Sequence, residues 1–169
     1  MNIVEITAEN NYDYHPFFSE ALIRHADCFK LSPDEQREEY FPTQGTPYSF
    51  TMAMLDEGNN LMGVVSFQRL MESRKKLHHK GEIFRMYVSR ENGGKNIGHD
   101  LITYVTNRVK EQLPDIEQIN LNVATHNEKA KNLYKNLGFE HFGTERNAIK
   151  FEGKYYDDDY MALKLKNLI

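Results

Sequence analysis

The chain of 169 residues has one cysteine, no tryptophan and five prolines, and its 21 basic side chains are outnumbered by 25 acidic ones. Each shortage closes off a class of protein. A lone Cys28 can form neither an internal disulfide nor a cysteine-cluster zinc site, which fits a reducing, cytoplasmic setting. A net charge of −4 leaves no electrostatic footprint for nucleic acid. No apolar run reaches the roughly 20 residues of a membrane span. The opening Met1-Asn2-Ile3-Val4-Glu5-Ile6 lacks the basic and apolar regions of a signal peptide, and Asn2 excludes N-myristoylation. The reading is no membrane and no nucleic-acid partner. Of seven histidines only His78 and His79 adjoin, and neighbours on a strand face opposite ways, so no metal is expected. What is present, 40% hydrophobic residues in a chain of ordinary length, predicts one domain over residues 1–169.

Periodicity then divides the chain. Residues 2–6 read as a strand, and Phe17, Phe18, Ala21, Leu22 and His25 share one side of a helix. Ser32-Pro33-Asp34-Glu35 carries the start signals of a second, short helix. Strands follow at 48–55 and 61–70 around the turn Asp56-Glu57-Gly58-Asn59-Asn60, and another at 82–88. From residue 95 the period changes: Ile97, Leu101, Val105, Val109 and Leu113 recur every four residues, until Pro114 ends the helix. Ile119 to Val123 alternates as a strand. Thr125-His126-Asn127-Glu128 has the spacing of a capping box ahead of Ala130, Leu133, Tyr134 and Leu137, with Gly138 placed to stop that helix. Two strands, about 139–150 and 154–165, close the chain. The class is α/β, with helices and strands mixed rather than strictly alternating.

Two segments carry chemistry. The connection from Val88 to Gly98 leaves a strand and opens a helix, with Gly93, Gly94, Lys95 and Gly98 in six residues; N–H groups at such a start suit phosphate. The continuation His99-Asp100 is not that of a P-loop, and the dinucleotide spacing is absent. The second segment is the run from Asn127 to Phe139, with Asn127, Ala130, Leu133, Tyr134, Gly138 and Phe139 in fixed register. Loop and run together resemble the GNAT superfamily of acyl-CoA-dependent N-acetyltransferases. The stretch Lys76 to Val88 and the closing hairpin around Asn147 to Asp157 are similar too, so the resemblance covers roughly residues 48–165. It implies a mixed central sheet of about seven strands flanked by about four helices. It also implies transfer of an acetyl group from acetyl-CoA to a primary amine of a small molecule or peptide, by direct attack in a ternary complex. A homodimer is implied as well.

The same resemblance distributes roles. CoA contacts fall on Met86, Tyr87 and Val88, along Gly93, Gly94, Lys95, Asn96, Ile97 and Gly98, and at Asn127 and Lys131. Tyr134 matches the tyrosine that serves the departing sulfur. Glu82, six residues before Val88, holds the offset of a general base, and alternation would put it on one face with Phe84, Met86 and Val88. His79 is the second candidate base. Two positions depart from the family pattern: its Arg or Gln falls at Gly93, and its first glycine at Asn96. Asparagine tolerates a left-handed backbone best among non-glycine residues, so CoA binding is expected to be weakened rather than lost. These departures also motivate an alternative, a CoA-binding sensor or regulatory module. Cys28 is disfavoured as an acyl carrier because its segment lies in the variable acceptor region and shows no evident histidine–acid arrangement around it. Acceptor choice is assigned to residues 12–47 and the 149–157 hairpin, where Glu35, Glu38, Glu39 and Asp157 to Asp159 offer negative charge to a cationic amine.

Overall fold

A computed structural model of the protein describes residues 1–166. In chain order the elements are β1 (Asn2–Ile6), α1 (Tyr14–Arg24), α2 (Pro33–Glu38), β2 (Ser49–Leu55), β3 (Leu61–Arg69), β4 (Lys80–Val88), α3 (Ile97–Gln112), β5 (Gln118–Ala124), α4 (Glu128–Asn136), β6 (Glu140–Phe151) and β7 (Lys154–Lys164). The seven strands form one sheet in the order β1-β2-β3-β4-β5-β7-β6. All neighbours are antiparallel except β4 and β5, which run parallel. This is the mixed sheet with four helices that the resemblance implies.

Helices cover both faces, so β2 and β3 are buried almost throughout and read as continuous apolar runs. One face carries Phe50, Met52, Val65 and Phe67 against the α3 stripe of Ile97, Leu101, Val105 and Val109. The other carries Ala53, Leu55 and Val64 against Tyr14, Phe18, Ala21 and Leu22 of α1. Gly63 on β3 lets α3 approach closely: a Cβ there would stand 2.8 Å from Ile97 Cγ2. α2 starts with a full capping box, the Ser32 hydroxyl accepting from Glu35 N–H and the Glu35 carboxylate accepting from Ser32 N–H. The expected capping box at Thr125 does not form. Asn127 caps α4 instead, accepting from Ala130 N–H, while the Thr125 hydroxyl donates to Asp159. A buried acid within reach outcompetes a local cap.

Candidate active site

The pairing of β4 with β5 is short, running only from Lys80 opposite Gln118 to Glu82 opposite Asn120. Beyond it, β4 stays on β3 as far as Val88, and β5 stays on β7 as far as Ala124. The sheet therefore splits at its centre, and among the described residues no strand lies beside the inner edge of β4 after Glu82. A bulge sharpens the parting: between the pairs Val64–Tyr87 and Ser66–Phe84 the ladder slips, and Arg85 sits at φ 50°.

That bulge corrects the expected alternation. Met86 and Val88 join Ile83 on the α3 face, whereas Glu82 stays on the opposite face, paired to Gln68 of β3. Its carboxylate accepts from Gln68 Nε2 at 3.1 Å, and Glu82 does not line the cleft. His79 is not on the cleft either. Neither candidate base lines the cleft, although Glu82 stands where the split begins.

The split opens a cleft of about 990 Å³, walled by β4, α3 and α4 on one side and by α1 with its following loop on the other. Met86, Tyr87, Val88, Gly93, Gly94, Asn96, Ile97, Gly98, Asn127 and Tyr134, among the residues to which the resemblance gives roles, all line it. At its α3 end the chain turns through Gly94 at φ +80° and Asn96 at φ 59°. Asn96 holds the left-handed conformation its position demands and is the N-cap, yet its side chain makes no cap hydrogen bond. The first-turn N–H groups of α3 are left to an outside acceptor. Gly98 brings that turn against β4 and α4: a Cβ there would stand 3.0 Å from Met86 Cε and 3.1 Å from Leu133 Cδ2.

The cations differ from expectation. Lys95 folds away to donate to Asn92 at 2.9 Å, and Lys131 turns behind α4 to Asp159 at 3.2 Å and to Thr125 O at 3.0 Å. Lys129, Arg90 and His99 line the cleft in their place. Lys129 was legible in helical spacing, since it shares a side of α4 with Leu133 four residues on. Tyr134 is 7% exposed, and burial pushes its phenol up to about 12.

Across the cleft, most acids singled out for a cationic amine are used inside the chain. Glu35 caps α2. Glu39 pairs with Arg85 at 2.6 Å, and Asp157 accepts from Asn147 N–H. Asp158 is buried with Lys30 at 3.2 Å. Burial works against the Asp159 carboxylate, but Thr125, Thr144 and Lys131 hold it below the usual range. Cys28, which lines the cleft, does have a histidine and an acid beside it: His126 Nε2 is 3.5 Å from its sulfur and 3.0 Å from Asp27 Oδ2. Burial and Asp27 push the thiol up to about 12, which keeps it protonated and a poor nucleophile.

A family model described as an acetyltransferase (GNAT) domain matches residues 39–159. The chain belongs to the GNAT acetyltransferase family. Among solved structures it is similar to a GNAT-family acetyltransferase from Streptococcus pneumoniae, with TM-score 0.78 and 18% identity, covering 98% of this chain and 99% of that one. It also resembles yncA from Salmonella typhimurium, solved with its cofactor acetyl-CoA, at TM-score 0.80 and 16% identity over 100% and 96% of the two chains. A ribosomal-protein-alanine N-acetyltransferase from Brucella melitensis gives 0.79 and 16% over 98% and 100%. At these identities the structural likeness speaks for the GNAT fold. No curated protein sequence matches the chain.

Proposed function

We propose that this GNAT protein transfers an acetyl group from acetyl-CoA to a primary amine of a small molecule or peptide, both substrates being bound at once. The observation that carries the reading is the split between β4 and β5, with Tyr134 on its wall and the open first turn of α3 at its end. Acetyl-CoA supplies an acyl thioester; the C–N bond forms as the C–S bond breaks, and the amine loses a proton as the sulfur gains one. The residues present fit this cosubstrate. Free N–H groups of α3 near Gly94 to Gly98 suit the pyrophosphate, with Lys129 and Arg90 adding positive charge. The unpaired edge of β4 at Met86 to Val88 offers backbone donors to the acyl oxygen.

Tyr134 is a hydrogen-bond donor to the departing sulfur. A phenol held at about 12 keeps its proton at any working pH, whereas a thiol ordinarily titrates near about 8.5, so net transfer of the phenolic proton would run uphill. Glu82, hydrogen-bonded to Gln68 and off the cleft, is given no direct part. The left-handed Asn96 keeps the loop in shape despite the lost glycine, which supports CoA binding in either reading. The test is thiol release from acetyl-CoA against a panel of primary amines and peptides. Amine-dependent release with acetylated product is expected. A rise in Tm with CoA and no turnover on any amine would overturn the reading in favour of the sensor.

A further inference from the structure

Three ligand-type side chains meet on the rim of the cleft from segments nearly 100 residues apart: Asp27 and Cys28 just after α1, and His126 in the turn between β5 and α4. Cys28 Sγ lies 3.5 Å from His126 Nε2 and 3.7 Å from Asp27 Oδ1, and His126 Nε2 lies 3.0 Å from Asp27 Oδ2. A thiol–imidazole–carboxylate relay needs the thiol on one ring nitrogen and the acid on the other. Here both converge on Nε2. A neutral imidazole has one hydrogen or one lone pair at that atom, so it cannot serve both neighbours as a relay does. A cation placed between the three serves all of them. Ligand bonds of about 2.0–2.3 Å to zinc at tetrahedral angles put the donor atoms about 3.3–3.6 Å apart. The sulfur–nitrogen separation of 3.5 Å falls in that range, and the Asp27 carboxylate stands beside both atoms, with Oδ2 3.0 Å from the nitrogen and Oδ1 3.7 Å from the sulfur.

We propose that Asp27, Cys28 and His126 bind a zinc-class divalent cation, with a fourth position left to water. Binding releases the Cys28 proton to solvent, thiolate and carboxylate then balance the charge of the ion, and a sulfur, nitrogen and oxygen set suits zinc or cobalt over magnesium. The ion would fasten the loop after α1 to the turn that opens α4, closing one end of the acceptor wall. The site does not depend on what the cleft acetylates.

Cobalt(II) added to the metal-free protein reports on the site directly. A sulfur-to-cobalt charge-transfer absorption saturating at about one cobalt per chain is expected, and Cys28 is the only thiol that can give it. The band should vanish in Cys28→Ser and weaken at least tenfold in apparent affinity in His126→Ala and Asp27→Asn. Zinc should raise the Tm of the parent protein and leave that of His126→Ala unmoved, circular dichroism confirming that each variant is folded. No sulfur band in the parent protein, or an undiminished band in both His126→Ala and Asp27→Asn, would overturn the proposal.

Discussion

Along the wall of the cleft made by β4, α3 and α4, contact is apolar: Met86, Val88 and Leu133 close around Gly98, and Tyr134 packs on Phe139 with ring centres 5.9 Å apart. The facing segment between α1 and β2 is tied down by polar pairs to four other parts of the chain. Glu39 grips Arg85 on β4, Lys30 bridges Glu145 and Asp158 on β6 and β7, and Asp27 with Cys28 meets His126 after β5. Apolar packing is tolerant of partners but intolerant of volume, whereas each polar pair depends on one distant residue. On the proposed reading the first wall holds one cosubstrate shape. The second hangs on separate pairs that can change one at a time, as the proposed acceptor choice would require.

The largest test of that contrast is Tyr134→Phe, which should lower kcat on the order of 100-fold while leaving CoA affinity unchanged by calorimetry. Gly98→Ala comes next: a methyl pressed against the ends of Met86 and Leu133 should weaken CoA binding by calorimetry more than it lowers stability in denaturant melts, since alanine is the better helix former. Lys129→Ala should raise the Kd for CoA about fivefold and make binding less salt-sensitive, whereas Lys95→Ala should change neither. A fourth test is acid. Asp159 is held below the ordinary aspartate value, so its contribution is fully present above about pH 3.9 and is lost as pH falls through its lower folded value. Melts between pH 6 and 2 should show that loss, and Asp159→Asn should flatten it. The smallest effect is expected of Glu82→Gln, under about twofold in kcat/KM across the pH profile; a lost acidic limb would restore Glu82 as the base.

How much of this was legible follows the same division. The α3 stripe from Ile97 to Leu113, the Ser32 cap and the α4 run from Asn127 to Phe139 are local patterns, and each forms where the spacing places it. Asn96 was readable because a left-handed position leaves a mark on residue choice. Arg85 was not, since an arginine at φ 50° is held there by the slip against β3 and by Glu39, neither of which is local. Missing that bulge misplaced Glu82 by one face. Cys28 and His126 stand 98 positions apart, and only the packing of the loop after α1 over the end of β5 reveals them as neighbours.

A sheet split at its middle has four edges rather than two. Exposed edges are templates on which other chains pair and aggregate, and proteins ordinarily blunt them. Here the extra edges, β4 beyond Glu82 and the facing flank of β5, look into a cleft bordered by α1, α3 and α4. The fold gains a row of free backbone donors while keeping them from the strands of its neighbours.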